Sequence, residues 1–477
     1  MQSEKLSLRL VFSVLAIGIL GFTDIMLETA LNVSFPILMT EFNVTSNVVQ
    51  WLTSGVILLT SMVVILSPWL KKNFTNRSQF ITATIISLIG VLINAISGDF
   101  GWTLFGRLLQ GIGGGVGFPL MYNVIFEQVP EKKRGTMVGL GSLIISFAPA
   151  IGPAFGGFLT QNYGWHMVFW VVLPIQLFSL VLGWWTIQQV APLKKEKLDL
   201  IGWLLLSLFF VAGISVIERT STHGLINTLS LSMIVAMIVG LVGYLFHAKR
   251  IANPLINPAI FKYKTFRFGM AASFTTQVVN LTFNYAVPMV LQIVLLQNSQ
   301  VAGLALLPGA LGYALMAILS GRLYDRFGAR VPIITGLILM LIGTVLMAFL
   351  PISLTWLTLG FMVIQIGAGF WFGNNMTFTI SQVPVNFQSA GNSIFSATNN
   401  YSAAIGIALA AGIIATFQKH ADDARDLVVA THSGTIWTFR VDVVLIVLSA
   451  ILSLSALHFG RKSCTNVLCC RGKQHDY

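Results

Sequence analysis

The feature that most constrains this chain is a series of long apolar segments separated by short, mostly basic loops. A helix that crosses a bilayer needs about 20 consecutive, mainly apolar residues. Segments of this kind occur fourteen times, at 10–38, 47–69, 79–98, 102–126, 136–160, 167–189, 200–217, 227–247, 268–296, 301–320, 331–350, 354–380, 389–417 and 437–459. The sequence therefore predicts an all-α polytopic membrane protein with 14 transmembrane helices.

The composition excludes other classes of protein. Charged residues make up 9% of the 477 residues and apolar residues 55%, whereas a soluble domain carries roughly 25% charged residues. Neither a water-soluble enzyme nor a nucleic-acid-binding surface can be built from so few charges. The excess of 28 Lys and Arg over 16 Asp and Glu predicts basic cytoplasmic loops held against anionic lipid.

The distribution of Lys and Arg predicts the orientation. With the N-terminus inside, 23 of them fall in cytoplasmic loops and tails, 4 fall outside, and Arg107 lies within a span. This bias supports the even number of helices and places both termini in the cytoplasm. The three cysteines all follow the last helix, and their spacing does not suit a zinc site.

The inside loops 191–199 and 248–267 bracket one pair of helices and leave six on each side. We therefore predict four regions in the chain. They are a six-helix bundle over 1–190, an inserted two-helix hairpin with basic linkers over 191–266, a second six-helix bundle over 267–460, and a cytoplasmic tail over 461–477. Two parallel six-helix halves around a midplane cavity are typical of secondary transporters.

Several ordered motifs resemble one family. Gly321–Arg330 resembles the cytoplasmic loop signature of the major facilitator superfamily, and the segment from Ser146 to Gly157 resembles the fifth-helix signature of its antiporters. Residues Gly106–Gly113 and Glu28–Pro36 resemble its fourth-helix and first-helix signatures. The first-helix match is to the fourteen-helix branch of drug:proton antiporters, and the resemblance implies the major facilitator fold.

The sequence departs from that branch in three places. In that branch an acidic residue stands two positions before the Thr and nine before the Pro of the first-helix signature. The residue at this position here is Leu27. Glu28 lies one position later, and Asp24 lies three positions earlier. The loop between the second and third helices carries Lys72 where the signature has Asp. An Asn typical of helix six is replaced by Val172.

Only two acidic residues are predicted to lie deep within a span, Asp24 and Glu28, while Asp442 is expected in the first turn or two of the last helix, near Arg440. A carboxylate at the bilayer centre costs about 2.5–3.5 kcal/mol on insertion scales, so it indicates a function. The two acids are four residues apart and share one helix face. Groups so placed can bind protons, as a proton-coupled carrier requires. The alternative is that one of them only pairs with Arg107.

Arg107 is the one cation within a predicted span. A buried guanidinium should face the bundle and find a partner, and Glu28, then Asp24, are the expected partners. The resemblance implies a part in proton relay. The alternative is a structural clamp between helices one and four.

Two groups of residues are expected to matter for conformational change. Proline bends a helix, and glycine allows a neighbouring helix to approach closely. The fifth-helix group is Pro149, Gly152, Pro153, Gly156 and Gly157, for which the resemblance implies a hinge and seal between the halves. The second group, in the loop signature, comprises Gly321, Asp325, Arg326, Gly328 and Arg330.

Polar and aromatic residues within apolar spans are candidates for a substrate cavity. They are Asn32, Gln110, Tyr122, Asn123, Gln277, Asn280, Asn284, Tyr285, Trp371, Asn374, Asn375 and Asn399. Gln277, Asn280 and Asn284 recur at helical spacing and share a face. Each of these side chains could equally make a hydrogen bond between helices.

The sequence thus predicts a transporter that is not an enzyme and needs no cofactor or metal beyond the proton-motive force. We expect proton-coupled export of amphipathic, often cationic compounds across a bacterial plasma membrane. The alternative is export of an endogenous anionic or lipid-like compound, for which Arg107 would be the anchor. Its partners would be the small-molecule substrate, protons and membrane lipid, without nucleic acid, and the chain would act as a monomer.

Overall fold

The computed structural model describes residues 7–129, 137, 148, 151–189, 192–193, 195–223, 227–251, 254–256, 258–419 and 423–471. Of these it leaves out the side chains at 126, 218–223, 318, 325, 385–390, 392–393, 424 and 461–471. Throughout this part of the chain the regular structure is helical, which confirms the all-α part of the predicted fold class.

The first half and the inserted pair supply ten helices. They are α1 (Leu8–Glu41), α2 (Ser46–Val49), α3 (Trp51–Val64), α4 (Ser67–Asn73), α5 (Asn76–Ile96), α6 (Phe100–Gln128), α7 (described over 151–163), α8 (His166–Thr186), α9 (Leu200–His223) and α10 (Thr228–Ala248). A 3₁₀ turn, Pro258–Lys262, precedes the second half. This half contains α11 (Lys264–Ile293), α12 (Ser299–Phe327), α13 (Arg330–Phe349), α14 (Leu354–Ser381), α15 (Val385–Gln418) and α16 (Ala424–Arg471).

Among the described residues, 12 helical stretches are long and apolar enough to cross a membrane. The remaining two predicted positions are occupied by α7, which is described only in part, and by the more polar α11. With 30 residues, α11 is about 45 Å long, which exceeds the bilayer core. The count of fourteen spans and the orientation of the termini remain predictions.

Side-chain caps set the start of several helices. The first backbone N–H groups of a helix lack partners within it, and a polar side chain just before the helix can accept from them. Asp99 accepts from the N–H of Trp102 at 3.0 Å before α6, and Asn298 accepts from Val301 at 2.8 Å before α12. Each of these cap residues lies between two of the predicted apolar segments.

The two halves use the same kind of close helix contact. A Cβ added at Gly106 on α6 would lie 2.8 Å from the carbonyl oxygen of Gly90 on α5. A Cβ added at Gly367 on α14 would likewise lie 2.7 Å from the carbonyl oxygen of Gly336 on α13. Only glycine permits backbones to approach this closely, so the equivalent helix pair of each half is held by a glycine contact.

The halves meet at one membrane face. We call the face where α1 begins the N-terminal face and the opposite one the distal face. Near the distal face the Tyr285 hydroxyl donates to the carbonyl of Ser46 at 2.9 Å, and the Gln292 amide donates to the carbonyl of Val33 at 2.7 Å. The Ser46 hydroxyl donates to Gln418 at 2.9 Å. One large apolar cluster also spans both halves.

Near the N-terminal face the buried apolar clusters stay within one half. One cluster joins α1, α5 and α6 of the first half, and another surrounds Ile260 and Phe266 of the second. The hydrogen bonds between the halves named above lie towards the distal face, whereas each of these two clusters lies within one half.

The inserted pair α9–α10 lies against both halves. The indole of Trp203 on α9 donates to the carbonyl of Met62 on α3 at 3.0 Å. On the same helix, the ring of Phe210 lies 4.6 Å from that of Tyr401 on α15, measured between centroids. The pair is thus attached to the junction of the two halves.

Candidate functional site

Asp24 lies at the centre of a hydrogen-bonded cluster in the first half. Its Oδ1 accepts from the Ser87 hydroxyl on α5 at 3.0 Å and from the Gln176 amide on α8 at 3.2 Å. The Gln176 amide nitrogen also lies 3.1 Å from Oγ1 of Thr23. Three helices therefore converge on one carboxyl oxygen.

The other oxygen of Asp24 is left free. Its Oδ2 is buried and receives no hydrogen bond from any described residue. It faces Gly114 on α6, where an added Cβ would lie 3.2 Å away. Asp24 therefore has donors on one side and an unoccupied oxygen on the other, an arrangement in which the carboxyl can be held either ionised or protonated.

Glu28 lies one turn further along α1 and is half-buried. Within the described residues, no donor lies within hydrogen-bond distance of its carboxylate. The two acids predicted from the sequence therefore share a helix face but differ in their surroundings. Both acids are half-buried, but Asp24 is held by donors from neighbouring helices, whereas Glu28 receives no hydrogen bond from a described residue.

Arg107 is fully buried on α6. Its Nε donates to the carbonyl of Leu52 on α3 at 2.9 Å, and its Nη1 donates to Oε1 of Gln110. Its Nη2 has no hydrogen-bond partner among the described residues, and none of their carboxylate oxygens lies within 4.0 Å of the guanidinium. The expected ion pair with Glu28 or Asp24 is therefore not formed here, and the residue links α6 to α3 rather than to α1.

Sequence reasoning missed Ser87 and Gln176, the two donors to Asp24. The signal for Gln176 was present, since an amide stands in an otherwise apolar helix, one turn after Val172. Val172 is the position at which the resembling branch has its Asn. Ser87 gave no signal, because a single serine is common in membrane helices, where it can donate to its own backbone.

Most of the predicted cavity residues of the second half make contacts between or within helices. Asn284 donates to Asn280 on the same helix, with Nδ2 3.0 Å from Oδ1. Asn375 donates to the carbonyl of Gly269 at 3.0 Å, and Asn374 to the carbonyl of Phe370 at 2.7 Å. Such bonds leave these amides less free to bind a ligand.

Three further predicted residues of the second half have distinct positions. Tyr285 closes the distal face through Ser46, and Trp371 is buried in an apolar cluster beside Ile333. The half-buried Asn399 accepts from Ser273 at 2.7 Å.

The remaining candidates fall into two groups. In the first half Asn32 accepts from the Thr53 hydroxyl at 2.9 Å, and Gln110 accepts from Arg107. The half-buried side chains are Tyr122 and Asn123 on α6 and Gln277 on α11. These half-buried residues are the candidates best placed for a substrate.

The residues of the fifth-helix group lie at two different helix interfaces. Gly152 and Gly156 lie against α1, where an added Cβ would collide with Thr29 and Ala30 respectively. Pro153 and Gly157 lie against α12 of the other half. The Ser299 hydroxyl donates to the carbonyl of Gly157 at 3.2 Å, and an added Cβ at Gly303 would collide with the carbonyl of Pro153. Pro149 lies outside the described residues.

The Gly321–Arg330 signature is mainly helical. Gly321 and Arg326 belong to the last turns of α12, and Arg330 begins α13. Gly328 between them has φ of 75°, a left-handed conformation that favours glycine. The guanidinium of Arg326 lies 5.3 Å from the ring centroid of Phe327. The side chain of Asp325 lies outside the described part of the chain.

The corresponding place in the first half uses different ion pairs. Lys71 pairs with Glu127 at the end of α6 at 2.9 Å, and Lys72 pairs with Glu196 at 2.7 Å. Lys72, which stands where the signature has an acid, therefore has an acid from another segment as its partner. The first-half loop thus carries two Lys–Glu ion pairs at the place that corresponds to the Gly321–Arg330 segment.

The expected position of Asp442 is wrong. The last helix begins at Ala424, not near residue 437, so Asp442 lies about five turns inside it. Asp442 is fully buried, whereas Arg440 is exposed with its guanidinium 5.3 Å from the Trp437 ring centroid. The two residues face different sides of the helix. No group of three or more His, Cys, Asp or Glu side chains that could hold a metal ion occurs in the described residues.

Comparisons with known proteins agree with this architecture. A sequence model of the Major Facilitator Superfamily matches residues 17–407 and 268–463. The chain is 33% identical over 413 residues to the lincomycin resistance protein LmrB of Bacillus subtilis, covering 83% of this chain and 84% of that protein. It is 27% identical over 399 residues to the putative multidrug resistance protein MdtD of Escherichia coli, covering 83% and 82%.

Solved structures show the same fold. A bacterial homologue of the human lysosomal transporter Spinster, in an inward-facing and unoccupied conformation, superposes with a TM-score of 0.69 at 16% identity, covering 96% of this chain and 99% of that one. The POT family transporter PepTSo superposes with a TM-score of 0.68 at 13% identity, covering 95% of this chain and 99% of that one.

Proposed function

This chain belongs to the Major Facilitator Superfamily, and we propose that it is a proton-coupled antiporter that exports amphipathic, often cationic, drug-like compounds by alternating access. Its family makes it a transporter rather than an enzyme, and its helices and relatives make it a multi-pass protein of a bacterial plasma membrane. The resistance proteins among its relatives are consistent with the drug:proton antiporter branch.

The environment of Asp24 carries the proposal of proton coupling. Donors from Ser87 and Gln176 can hold its Oδ1 when the group is ionised, and the free Oδ2 can take a proton. Glu28, one turn away on the same helix and also half-buried, adds a second carboxyl to the site. A buried acid that can exist in both states suits a carrier that exchanges protons for a cation.

The direction of transport follows from the proposed orientation. The excess of Lys and Arg places the N-terminal face in the cytoplasm. In that orientation substrate enters between the halves from the cytoplasm or the inner leaflet, and binding of a cation displaces protons from the two acids. When the distal face opens, external protons return to the acids and the substrate leaves.

The membrane potential drives the cycle only if net charge moves. Each elementary charge that crosses gains about 2.3 kcal/mol per 100 mV. Exchange of two protons for a monovalent cation is electrogenic, and one-for-one exchange is not.

The first experiment is reconstitution in liposomes with an imposed pH gradient. Uptake of a fluorescent lipophilic cation and the lumenal pH are followed together. We expect the cation to move against its gradient while protons move the other way. The double variant Asp24→Asn with Glu28→Gln should lose pH-driven transport while it remains folded, and full coupling in this variant would overturn the assignment.

The matched control is Asp99→Asn. Asp99 is an exposed acid whose role is to cap α6, and asparagine caps a helix equally well. This variant should transport like the parent protein.

One observation favours a second candidate function. Nη2 of Arg107 is buried without a hydrogen-bond partner among the described residues, and an anionic group could supply one. Export of an endogenous anionic or lipid-like compound would use Arg107 as its anchor. In that case Arg107→Ala would abolish binding of the anion, and the fluorescent cation would not move in the liposomes.

A further inference from the structure

Asp442 forms a second, separate acidic position in the membrane region. It lies at the middle of the candidate span Arg425–Gly460 and is fully buried. Neither of its carboxyl oxygens has a hydrogen-bond partner among the described residues. A buried carboxylate without a donor is strongly disfavoured, whereas a carboxylic acid is far less so.

A row of buried threonines leads from the distal face to this residue. Thr431, Thr435 and Thr438 precede it on one face of α16, at spacings of four and three residues, and all are fully buried. The Thr438 hydroxyl donates to the carbonyl of Gly434 at 2.8 Å, and the Thr435 hydroxyl donates to that of Thr431 at 2.8 Å. Since these hydroxyl protons are engaged, the oxygens remain as acceptors, which suit a protonated acid and not a carboxylate.

The row begins where the two halves meet. Thr431 accepts from the Gln418 amide at 2.7 Å, and Gln418 in turn accepts from Ser46 of the first half. Opening of the distal face would break this contact and expose the end of the row to water.

Among the described residues, no charged side chain pairs with Asp442. On its own helix Arg440 is exposed and faces another side. The charged or titratable groups on the helices packed against it are Lys264, Arg267 and Tyr285 on α11, Arg330 on α13, and Tyr401 on α15. Lys264, Arg267 and Arg330 stand at helix starts, Tyr285 donates to Ser46, and Tyr401 lies against α9. None of the described basic side chains lies within 4.0 Å of its oxygens.

We propose that Asp442 is a proton-binding site of the second half, independent of Asp24 and Glu28 and reached from the distal face along the threonine row. In the distal-closed structure it holds a proton as a neutral carboxylic acid. When the distal face opens, the acid can release that proton to water as a carboxylate, and it takes one up again before closure. The inference rests on the proposed proton coupling, to which it adds a second site.

Infrared difference spectroscopy on the full protein in liposomes tests the site without any substrate. Acid-minus-alkaline spectra report carboxyl groups that gain a proton over the interval. We expect one protonated-carboxyl band of the parent protein to be absent in Asp442→Asn and retained in the Asp24→Asn, Glu28→Gln variant. Ser453→Ala is the matched control, since Ser453 is buried on the same helix and its hydroxyl also lacks a partner among the described residues.

Identical spectra for the parent protein and Asp442→Asn would overturn the proposal, because Asp442 would then hold one fixed protonation state. If Asp442→Asn does not fold, Asp442→Glu replaces it, and the band should shift in frequency. An unshifted band in that variant would also overturn the proposal.

Transport then separates this proposal from the proposed function. In Asp442→Asn we expect pH-driven accumulation of the cation to fall about tenfold, or about 1.4 kcal/mol, while movement down a concentration gradient continues. A parent protein that shows the Asp442 band but no proton-coupled transport would refute the proposed function and leave the proton site standing. Unchanged pH-driven accumulation in Asp442→Asn would refute the role of Asp442 in coupling.

Discussion

The two halves share a helical plan but hold their buried acids in opposite ways. In the first half Asp24 accepts hydrogen bonds from α5 and α8, and Arg107 is buried nearby on α6. In the second half Asp442 has neither a donor nor a cation among the described residues. The first environment can hold a carboxylate inside the protein, and the second favours the neutral acid. Repeated architecture therefore does not imply repeated chemistry.

Among the variants that test this contrast between the halves, Arg107→Met is expected to have the largest effect on transport. Methionine fills much of the same space but leaves the carbonyl of Leu52 and the amide oxygen of Gln110 without their donor, and it removes the buried positive charge near the acids. We expect pH-driven transport in liposomes to fall by at least about 100-fold, or about 2.7 kcal/mol.

The control for Arg107→Met is Arg77→Met. Arg77 is exposed, with its guanidinium 4.9 Å from the ring centroid of Trp184, and its loss should leave transport nearly unchanged. Equal transport by the two variants would show that the buried cation of the first half plays no part in coupling.

A smaller effect is expected from Gln176→Leu. This change removes one of the two donors to Oδ1 of Asp24, and a hydrogen bond to a charged group contributes about 1.5–3 kcal/mol. We expect the maximal rate of proton-coupled transport to fall about tenfold, with a smaller change in the substrate concentration for half-maximal rate. Gln128→Leu, which removes an amide at the C-terminal end of α6 that donates to the carbonyl of Gln188, serves as the control. If Gln176→Leu transports at the parent rate, the donors around Asp24 are structural only.

The smallest effect is expected for the hydroxyl pair that joins α11 to α16. The oxygens of Thr276 and Ser449 lie 2.5 Å apart, and the pair is fully buried. Thr276→Val combined with Ser449→Ala removes both partners, so we expect a loss of about 0.5–1.5 kcal/mol in stability. A small drop in the thermal unfolding midpoint in detergent, with unchanged proton coupling, would agree. Loss of coupling would show that these hydroxyls take part in proton transfer in the second half. The contrast between the two halves would then have to include them.

Much of the fold could be predicted from the sequence because the bilayer imposes simple rules. A long apolar segment must be helical to satisfy its own backbone, so segments such as 10–38 and 79–98 correspond to α1 and α5 within a few residues. A charged side chain within a membrane span is costly, so Asp24, Glu28 and Arg107 could be identified from the sequence as candidates for a function. The structure places these three residues on α1 and α6 of the first half, with Arg107 fully buried and both acids half-buried.

The rest depends on contacts that carry no sequence signal. Arg107 is bound by the carbonyl of Leu52, and a backbone carbonyl is present at every residue. Asp442 was misplaced because the polar residues between Ala424 and Trp437 resemble a loop, whereas they form the first turns of α16. Buried threonines on the inner face explain how such a segment can still be a membrane helix, since each hydroxyl donates back to its own backbone.

The inserted pair gives the molecule two unlike flanks. At one flank α9 bridges α3 and α15 through Trp203 and Phe210. At the other, α7 and α12 meet directly at Gly157 and Ser299. One junction between the halves is therefore covered by an added helix pair, while at the other the helices of the two halves contact each other directly.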